Sequence, residues 1–592
     1  MDPRAKRVKS QTGSPTPAGM WKQPRARGGW SCRAAGLVAL WIGAAPAWGV
    51  EPVVPASGTA ANADSAVVQA IRSTIAAARH PGLRWSDFPY YADEMQGLYG
   101  PLGYGPVWLL AGKPRPQARE VVDELLAAAN RGLDPADYDA TQLDATLRAL
   151  QGGQPPGARE QGLFDAALSI GFLRFISDLH IGRINPRKLG VAFDVGPKKY
   201  DLPPLVRRAI DANRIRQTVA EAEPKLALYR RMQVALQQYR QLAEDPALGP
   251  LPAGTTVRPG EAFAGLAVLA HRLAAFGDLA AAGPAPAAGG VYAGDVVEAV
   301  KRFQARHGLA PDGVLGKGTI MALNVPVAQR VEQIEFALER LRWLPDLDGG
   351  PFLVVNIPAF QVWGFDSLNA AGPPPLHMRV VVGKALNTRT PVFEEDMQYV
   401  VFRPYWNVPY SIVKGELLPA LRQNSNALAV RNMELVRGFD DATALPATAE
   451  NIAGLAKGML HVRQVPGPKN ALGLAKFIFP NADNVYMHGT PAQALFERSR
   501  RDFSHGCIRL EAPLAMAEFV LRDQPEWTRA RIEAAMNGAK PTHVNLKRRL
   551  PAIIFYTTAI VDLADKVHFY EDIYGHDTKL KKELLAGYPY PP

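Results

Sequence analysis

Two residues of this 592-residue chain, Cys507 and His488, are the best suited to covalent chemistry. His488 closes the segment Asn484-Val485-Tyr486-Met487-His488. After fifteen intervening residues comes the tight sequence Ser504-His505-Gly506-Cys507-Ile508-Arg509. A thiol is a poor nucleophile until ionised, and a neighbouring imidazole can lower its pKa and then carry its proton. Gly506 lets the backbone turn sharply enough to aim amides at a substrate carbonyl. Amides near Gly506 and Cys507 would then stabilise a tetrahedral oxyanion, at about 3–4 kcal/mol per donor. Arg509 places a fixed cation two residues on, able to fork onto a carboxylate. The only other cysteine, Cys32, precedes an apolar run and would leave with a cleaved export signal. Cys507 would then be an unpaired thiol in an oxidising compartment, which flags a reactive role. An inert buried cysteine is the alternative that its neighbours argue against.

Other chemistries fit the same residues less well. His488, His505 and Cys507 could ligate zinc, but no fourth ligand cluster or C-x-x-C spacing completes a closed site, so neither metal nor cofactor is expected. A generic cysteine protease shares the Cys–His chemistry, but Cys507 following His488 in a Ser-His-Gly-Cys setting does not match papain-type surroundings.

These residues need a rigid frame. After Gly349-Gly350 the runs PFLVVNIPAFQVWGF, MRVVVG, QYVVFRP and NVYMHG are rich in β-branched and aromatic residues, so a β-rich domain is predicted over 350–592. Helical sequence with Leu417, Leu418 and Leu421, then a polar loop, interrupts it at about 415–470 as an inserted lid. The segment AIIFYTTAIVDLADKVHFYEDIYG reads as two closing strands joined at the Asp562–Asp565 turn.

Upstream the period is helical. Leu163, Phe164, Ala167, Leu168, Phe172, Phe175, Ile176 and Leu179 recur at helical spacing, as do Leu228, Met232, Leu236 and Tyr239. Asn185-Pro186 and Leu202-Pro203-Pro204 break the pattern between them. Residues 51–255 are therefore a predicted helical scaffold with no acid–base or metal constellation. Residues 260–325 form a small unit with a Val296, Val297, Val300, Phe303 stripe, a Pro311-Asp312-Gly313 turn and a second helix ending near Leu323. The alanine-rich run 280–290 reads as a loop. Val327, Val331, Ile334, Leu338 and Leu341 mark a connecting amphipathic helix over 326–348. The fold class is multidomain α+β.

The net charge of +11 is concentrated at the start, where residues 1–50 hold seven of the surplus positive charges. The remainder is too weakly basic for a nucleic-acid partner. The basic opening runs into the apolar stretch 34–45 and small residues to Gly49, which reads as an export signal over 1–49, of ordinary size if the chain starts at Met20. An uncleaved anchor is the alternative, though the run is short for a bilayer span, and no stable transmembrane domain is expected in the mature chain.

His488, the fifteen-residue interval and Ser-His-Gly-Cys-x-Arg resemble the L,D-transpeptidase (YkuD) catalytic domain. RQVPGPKNALGLAKFIFPN through YMHGTP is similar to its large YcbB/LdtD-type branch, and AVKRFQARHGLAPDGVLGKGTIMAL resembles a peptidoglycan-binding module. That branch joins a helical scaffold, a three-helix peptidoglycan-binding module and a catalytic domain with an inserted lid, the order expected here. Gly489 departs from the Asp expected in many of its members. The resemblance implies Cys507 as nucleophile and His488 as general base and then acid, with the Gly489 carbonyl orienting the imidazole. It implies that His505 and Gly506 shape the oxyanion site and that Arg509 holds the site or a substrate carboxylate. Tyr486, Trp406 and Asn407 become walls of a donor groove or ordinary packing residues. Ser504 becomes a local hydrogen-bonding group or simply the start of the turn, and Arg463, Gln464, Pro466, Lys469 and Asn470 candidates for the lid side.

The implied reaction releases D-alanine from a tetrapeptide stem and forms a 3→3 cross-link. Water, a free D-amino acid or a wall-anchored protein are alternative acceptors, and a spacer or wall-binding protein without catalysis is the non-enzymatic reading. The implied partner is the peptidoglycan stem peptide, with oligomeric state left open. The implied location is the periplasm, in association with the wall or inner membrane.

Overall fold

The computed structural model describes residues 58–587, apart from 153–154, 255, 281–288, 348, 370–371 and 386–387. The expected export segment therefore lies outside the described residues, as does most of the alanine-rich run. Among the described residues no helix is long and apolar enough to cross a membrane.

The helical region is organised around Ala158–Ile181. Its apolar residues include the predicted stripe, but it is buried nearly all round, because helices Gly58–Ala77, Pro116–Leu126, Ala140–Gln151 and Ile215–Ala222 pack against it. Polar residues on so buried a helix need partners. Asp165 accepts from the amides of Val107, Trp108 and Leu109 at 2.8–3.1 Å and from the Tyr99 hydroxyl at 2.7 Å. Pro203 and Pro204 lie between the two predicted helical stretches, at the start of a separate helix. They open Leu202–Asp211, where a proline's missing N–H costs nothing.

The three-helix unit comprises Leu266–Ala275, Asp295–Arg306 and Lys317–Leu323 around Leu269, Leu273, Val300, Phe303 and Leu323, all fully buried. Gln304 holds the Pro311-Asp312-Gly313 turn, donating to Asp312 Oδ1 and accepting from the Gly313 amide. The connecting helix Val327–Arg342 packs along Ala227–Ala243.

The β-rich region contains β1 (Phe352–Asn356), β2 (Gln361–Phe365), β3 (Leu376–Gly383), β4 (Val392–Phe402), β5 (Ala475–Ile478), β6 (Met487–His488), β7 (Ile508–Leu510) and β8 (Thr542–Phe555). Pairing runs β4-β5-β6-β7-β3-β2-β1-β8 and returns to β4, which closes a barrel. Alternation decides what faces inward. Leu353, Val355, Val362, Val380, Val400, Phe477, Met487, Ile508 and Leu510 fill the interior with no exposed surface. The residues between them on β5, β6 and β7 therefore face outward. A short hairpin, Ala559–Val561 and Val567–Phe569, turns at Asp562–Lys566 and ends the predicted closing segment.

Between β4 and β5 sits an insertion with its own core of Val408, Val413, Leu417, Leu421, Leu435, Leu455 and Val462. Its sheet pairs Trp406–Asn407 with His461–Gln464 and that strand with Met433–Val436. Regular structure in the insertion thus begins at 406, ahead of the helical sequence that first revealed it.

Candidate active site

Register places the candidate residues on one outward face of the barrel. Lys476 of β5 pairs with His488 of β6, which pairs in parallel with Arg509 of β7. Tyr486 and Cys507 occupy the next row, where the Tyr486 carbonyl accepts the Ile508 amide at 3.0 Å. Cross-strand partners project to the same side. Lys476, Tyr486, His488, Cys507 and Arg509 therefore share this face, and their strand neighbours Phe477, Met487 and Ile508 anchor it from within the core.

His488 is 5% exposed, and its Nδ1 lies 2.5 Å from the Gly489 carbonyl. A carbonyl can only accept, so Nδ1 carries the proton and Nε2 keeps a free lone pair. Burial drives the imidazole pKa down to about 3. The Gly489 carbonyl opposes this, and the charges of Arg509 and Lys476 add to it. Gly473 makes the Gly489 approach possible: its φ is +64°, and a Cβ there would lie 2.6 Å from the Thr490 nitrogen.

Cys507 is the free cysteine of the described residues and is partly exposed. Burial pushes its thiol pKa up, against hydrogen bonding from the Tyr486 backbone and hydroxyl and the charges of Lys476 and Arg509. The expectation that the imidazole lowers the thiol pKa is corrected here. The groups that favour the thiolate are Tyr486, Lys476 and Arg509, and the resting pair is a neutral thiol beside a neutral imidazole.

The turn before Cys507 is built from side chains distant in sequence. Ser504 Oγ donates to the Cys507 carbonyl at 2.6 Å and accepts the Gly506 amide at 3.2 Å, so it bonds locally. Gly506 has φ +114°, which a side chain would resist. Thr390 donates to the Gly506 carbonyl at 2.7 Å and Thr388 to the Ser504 carbonyl at 3.1 Å. Tyr574 donates to the Gly383 carbonyl and accepts the Thr390 amide, which pins that loop. Thr388, Thr390 and Tyr574 carry no local sequence signal, because they act across more than a hundred residues. Lys476 did leave one: a lysine between the barrel-lining Ala475 and Phe477.

The insertion reaches the site through Glu416, whose Oε1 lies 3.2 Å from His505 Nε2. Beneath it is a cavity of about 350 Å³ lined by Trp406, Glu416, Arg431, Gln464 and Lys469 among others. Asn407 is exposed on the insertion's edge strand and Pro466 is half-buried. Arg463 and Asn470 do not line the cavity. Arg463 is buried against Glu434 and the Phe439 carbonyl, and Asn470 donates to the Pro404, Gln464 and Val465 carbonyls. Both are short of free donors because they brace the insertion's backbone. Among the described residues no group of three or more His, Cys, Asp or Glu is arranged to hold a metal.

Comparison with known families assigns three segments. Residues 93–236 match a scaffold domain, 265–323 a "Putative peptidoglycan binding domain", and 350–539 the L,D-transpeptidase catalytic domain of the YkuD family. A Haemophilus influenzae protein described as a "Putative L,D-transpeptidase" is 30% identical over 277 residues, covering 46% of this chain. The match spans about half, 54%, of that relative's length. Most of the barrel and the outward face that carries Cys507 and His488 therefore lie in the segment that matches the L,D-transpeptidase catalytic domain of the YkuD family, behind segments that match a scaffold domain and a putative peptidoglycan binding domain.

Proposed function

We propose that this chain is a cysteine L,D-transpeptidase that forms 3→3 cross-links between peptidoglycan stems. Cys507 Sγ attacks the carbonyl of the third stem residue, a diamino acid, while His488 Nε2 takes the thiol proton. His488 returns that proton to the departing nitrogen as the bond to the terminal D-alanine breaks, which leaves a thioester on Cys507. The side-chain amine of a second stem then attacks the thioester, His488 removes a proton from that amine, and the thiol is regenerated.

The observation that carries this reading is the row geometry, with Cys507 one step from His488 on a shared face and the imidazole oriented by the Gly489 carbonyl. That carbonyl takes the place of the carboxylate in other triads. Ser504 already engages the Gly506 amide, so the Cys507 amide is the donor we assign to the oxyanion. His505 and Gly506 shape that turn, Arg509 lies beside His488 on the same face, and Trp406 and Asn407 belong to the insertion that reaches His505 through Glu416. The basic, apolar opening of the chain supports export to the periplasm, with the wall or inner membrane as the working surface.

Incubation of the purified protein with tetrapeptide muropeptides, with products read by mass, tests this reading. Cross-linked dimers with released D-alanine are expected. Tripeptides alone would make the enzyme a carboxypeptidase, and unchanged substrate would overturn the proposal.

A further inference from the structure

Lys476 and Arg509 flank His488 with no anionic partner of their own among the described residues. Sheet register sets them on either side of His488 in one row, with neighbouring strands about 4.8 Å apart. The Lys476 ammonium rests 4.3 Å from the centre of the Tyr486 ring, whose hydroxyl reaches the Cys507 thiol. Among the described residues no carboxylate forms an ion pair with either cation, and neither makes a side-chain hydrogen bond. The Cys507 thiol, once ionised, is the one anion that would favour the charged form of each of them.

This is costly. Lys476 and Arg509 are partly exposed, and cations that lose part of their water are normally matched by an anion or by hydrogen bonds, as fully buried ones must be. Elsewhere in this chain they are: Arg306 pairs with Asp278, Arg342 with Glu339, and Arg340 with Asp577. Two unmatched cations on one outward face, beside a nucleophile, form a site waiting for an anion supplied from outside.

Resting on the transpeptidase reading above, we propose that Lys476 and Arg509 together bind the α-carboxylate on the carbon that bears the reacting nitrogen. In the donor this is the carboxylate of the terminal residue that leaves. The argument extends to the acceptor, because forming and breaking the thioester are the same step in opposite directions. The nitrogen that attacks must therefore occupy the place of the nitrogen that left, and its neighbouring carboxylate meets the same two cations. Free D-amino acids and a diamino acid whose side-chain amine sits beside its own carboxylate both satisfy this. An amine on a carbon without a carboxylate does not. Lys476 is thus a specificity-determining residue for both half-reactions, and acceptor choice follows from charge.

The test compares a tetrapeptide muropeptide donor with the same donor ending in a carboxamide, and D-alanine with D-alaninamide as acceptors. The full-length protein is used and products are read by mass. The wild type is expected to favour the carboxylate form in both half-reactions by at least about tenfold, the worth of one to two charge-assisted hydrogen bonds. K476Q should collapse that ratio, mostly through KM, and K476R should restore most of it. Equal use of acid and amide by the wild type would overturn the proposal and leave the transpeptidase reading standing, and needs no variant to be seen. A K476Q variant that slowed both forms equally would reduce Lys476 to a structural role and also overturn it. Turnover of neither donor would sink the transpeptidase reading, and this proposal with it.

Discussion

The buried cations of the connecting helix and the partly exposed cations beside Cys507 obey opposite rules. Arg342 has no exposed surface, yet it donates to Glu339, to the Tyr229 hydroxyl and to the Arg131 carbonyl. Glu339 in turn accepts the Ile184 amide, so one helix is stapled to the scaffold by a closed network. Arg340 pairs with Asp577 on the helix His576–Leu585, and Arg183 donates to the Leu584 carbonyl. On the barrel's outward face Lys476 and Arg509 are left open. Closed networks fix the arrangement of domains, whereas open cations hold binding capacity in reserve for substrate.

The sharpest break between the two regions comes from Cys507→Ala. It should abolish D-alanine release by about 10⁴-fold or more, because the proposed reaction runs through a thioester that only a thiol can form. Its thermal midpoint should stay within a few degrees of the wild type, and it should still bind sacculi. Arg342→Met comes next, with the opposite profile. Stranding Glu339 in the interior should cost about 3–5 kcal/mol in denaturant unfolding, with turnover per folded molecule unchanged. Lys476→Gln should invert that pattern, losing about tenfold or more in kcat/KM while stability shifts by less than about 1 kcal/mol. If Arg342→Met impaired catalysis and left stability untouched, the distinction between the regions would fail.

The pH response separates the regions more finely. His488 stays neutral in the folded protein down to about 3, whereas an unfolded imidazole takes its proton near 6.5. Between those values the unfolded chain binds the extra proton, so the His488 contribution to stability falls as pH drops from 6.5 toward 3. His488→Asn should remove that contribution in acid unfolding scans. If His488 is the general base, as proposed, it stays competent over this range, so kcat/KM should show no acid limb centred near 6.5. A limb there would mean the imidazole is more exposed than its 5% surface implies. The smallest effect is expected from Glu416→Gln. The Glu416–His505 pair is solvent-exposed and worth about 0–1 kcal/mol, so KM should move by no more than about fivefold.

Much of the site was legible because its parts lie close together in sequence. The Ser504–Arg509 turn and His488 sit within one stretch, and β-branched runs announced β1, β3 and β4 well enough to place them. The stripe at Val300 and Phe303 similarly revealed the three-helix unit. What escaped depends on long-range pairing. Nothing local says that β5 closes against both β4 and β6, and without that closure Lys476 is merely a lysine in an apolar run. Thr390 and Tyr574 meet across 184 residues to hold the Gly506 turn. The thiol pKa was misjudged for the same reason: proximity to histidine is visible in a motif, and desolvation by a folded barrel is not. Arg463 and Asn470, candidates for the lid side, lie within the insertion but are engaged there, Arg463 by Glu434 and the Phe439 carbonyl and Asn470 by three backbone carbonyls.

The proposed acylation of Cys507 is the step on which the rest of the reading depends. Full-length protein mixed with a tetrapeptide muropeptide, quenched in acid and digested, should yield the Cys507 peptide carrying the tripeptide-muropeptide mass. One equivalent of D-alanine should appear in the same interval, and neither signal should appear with Cys507→Ala. D-alanine release with no adduct on Cys507, or release undiminished in Cys507→Ala, would contradict the thioester mechanism outright.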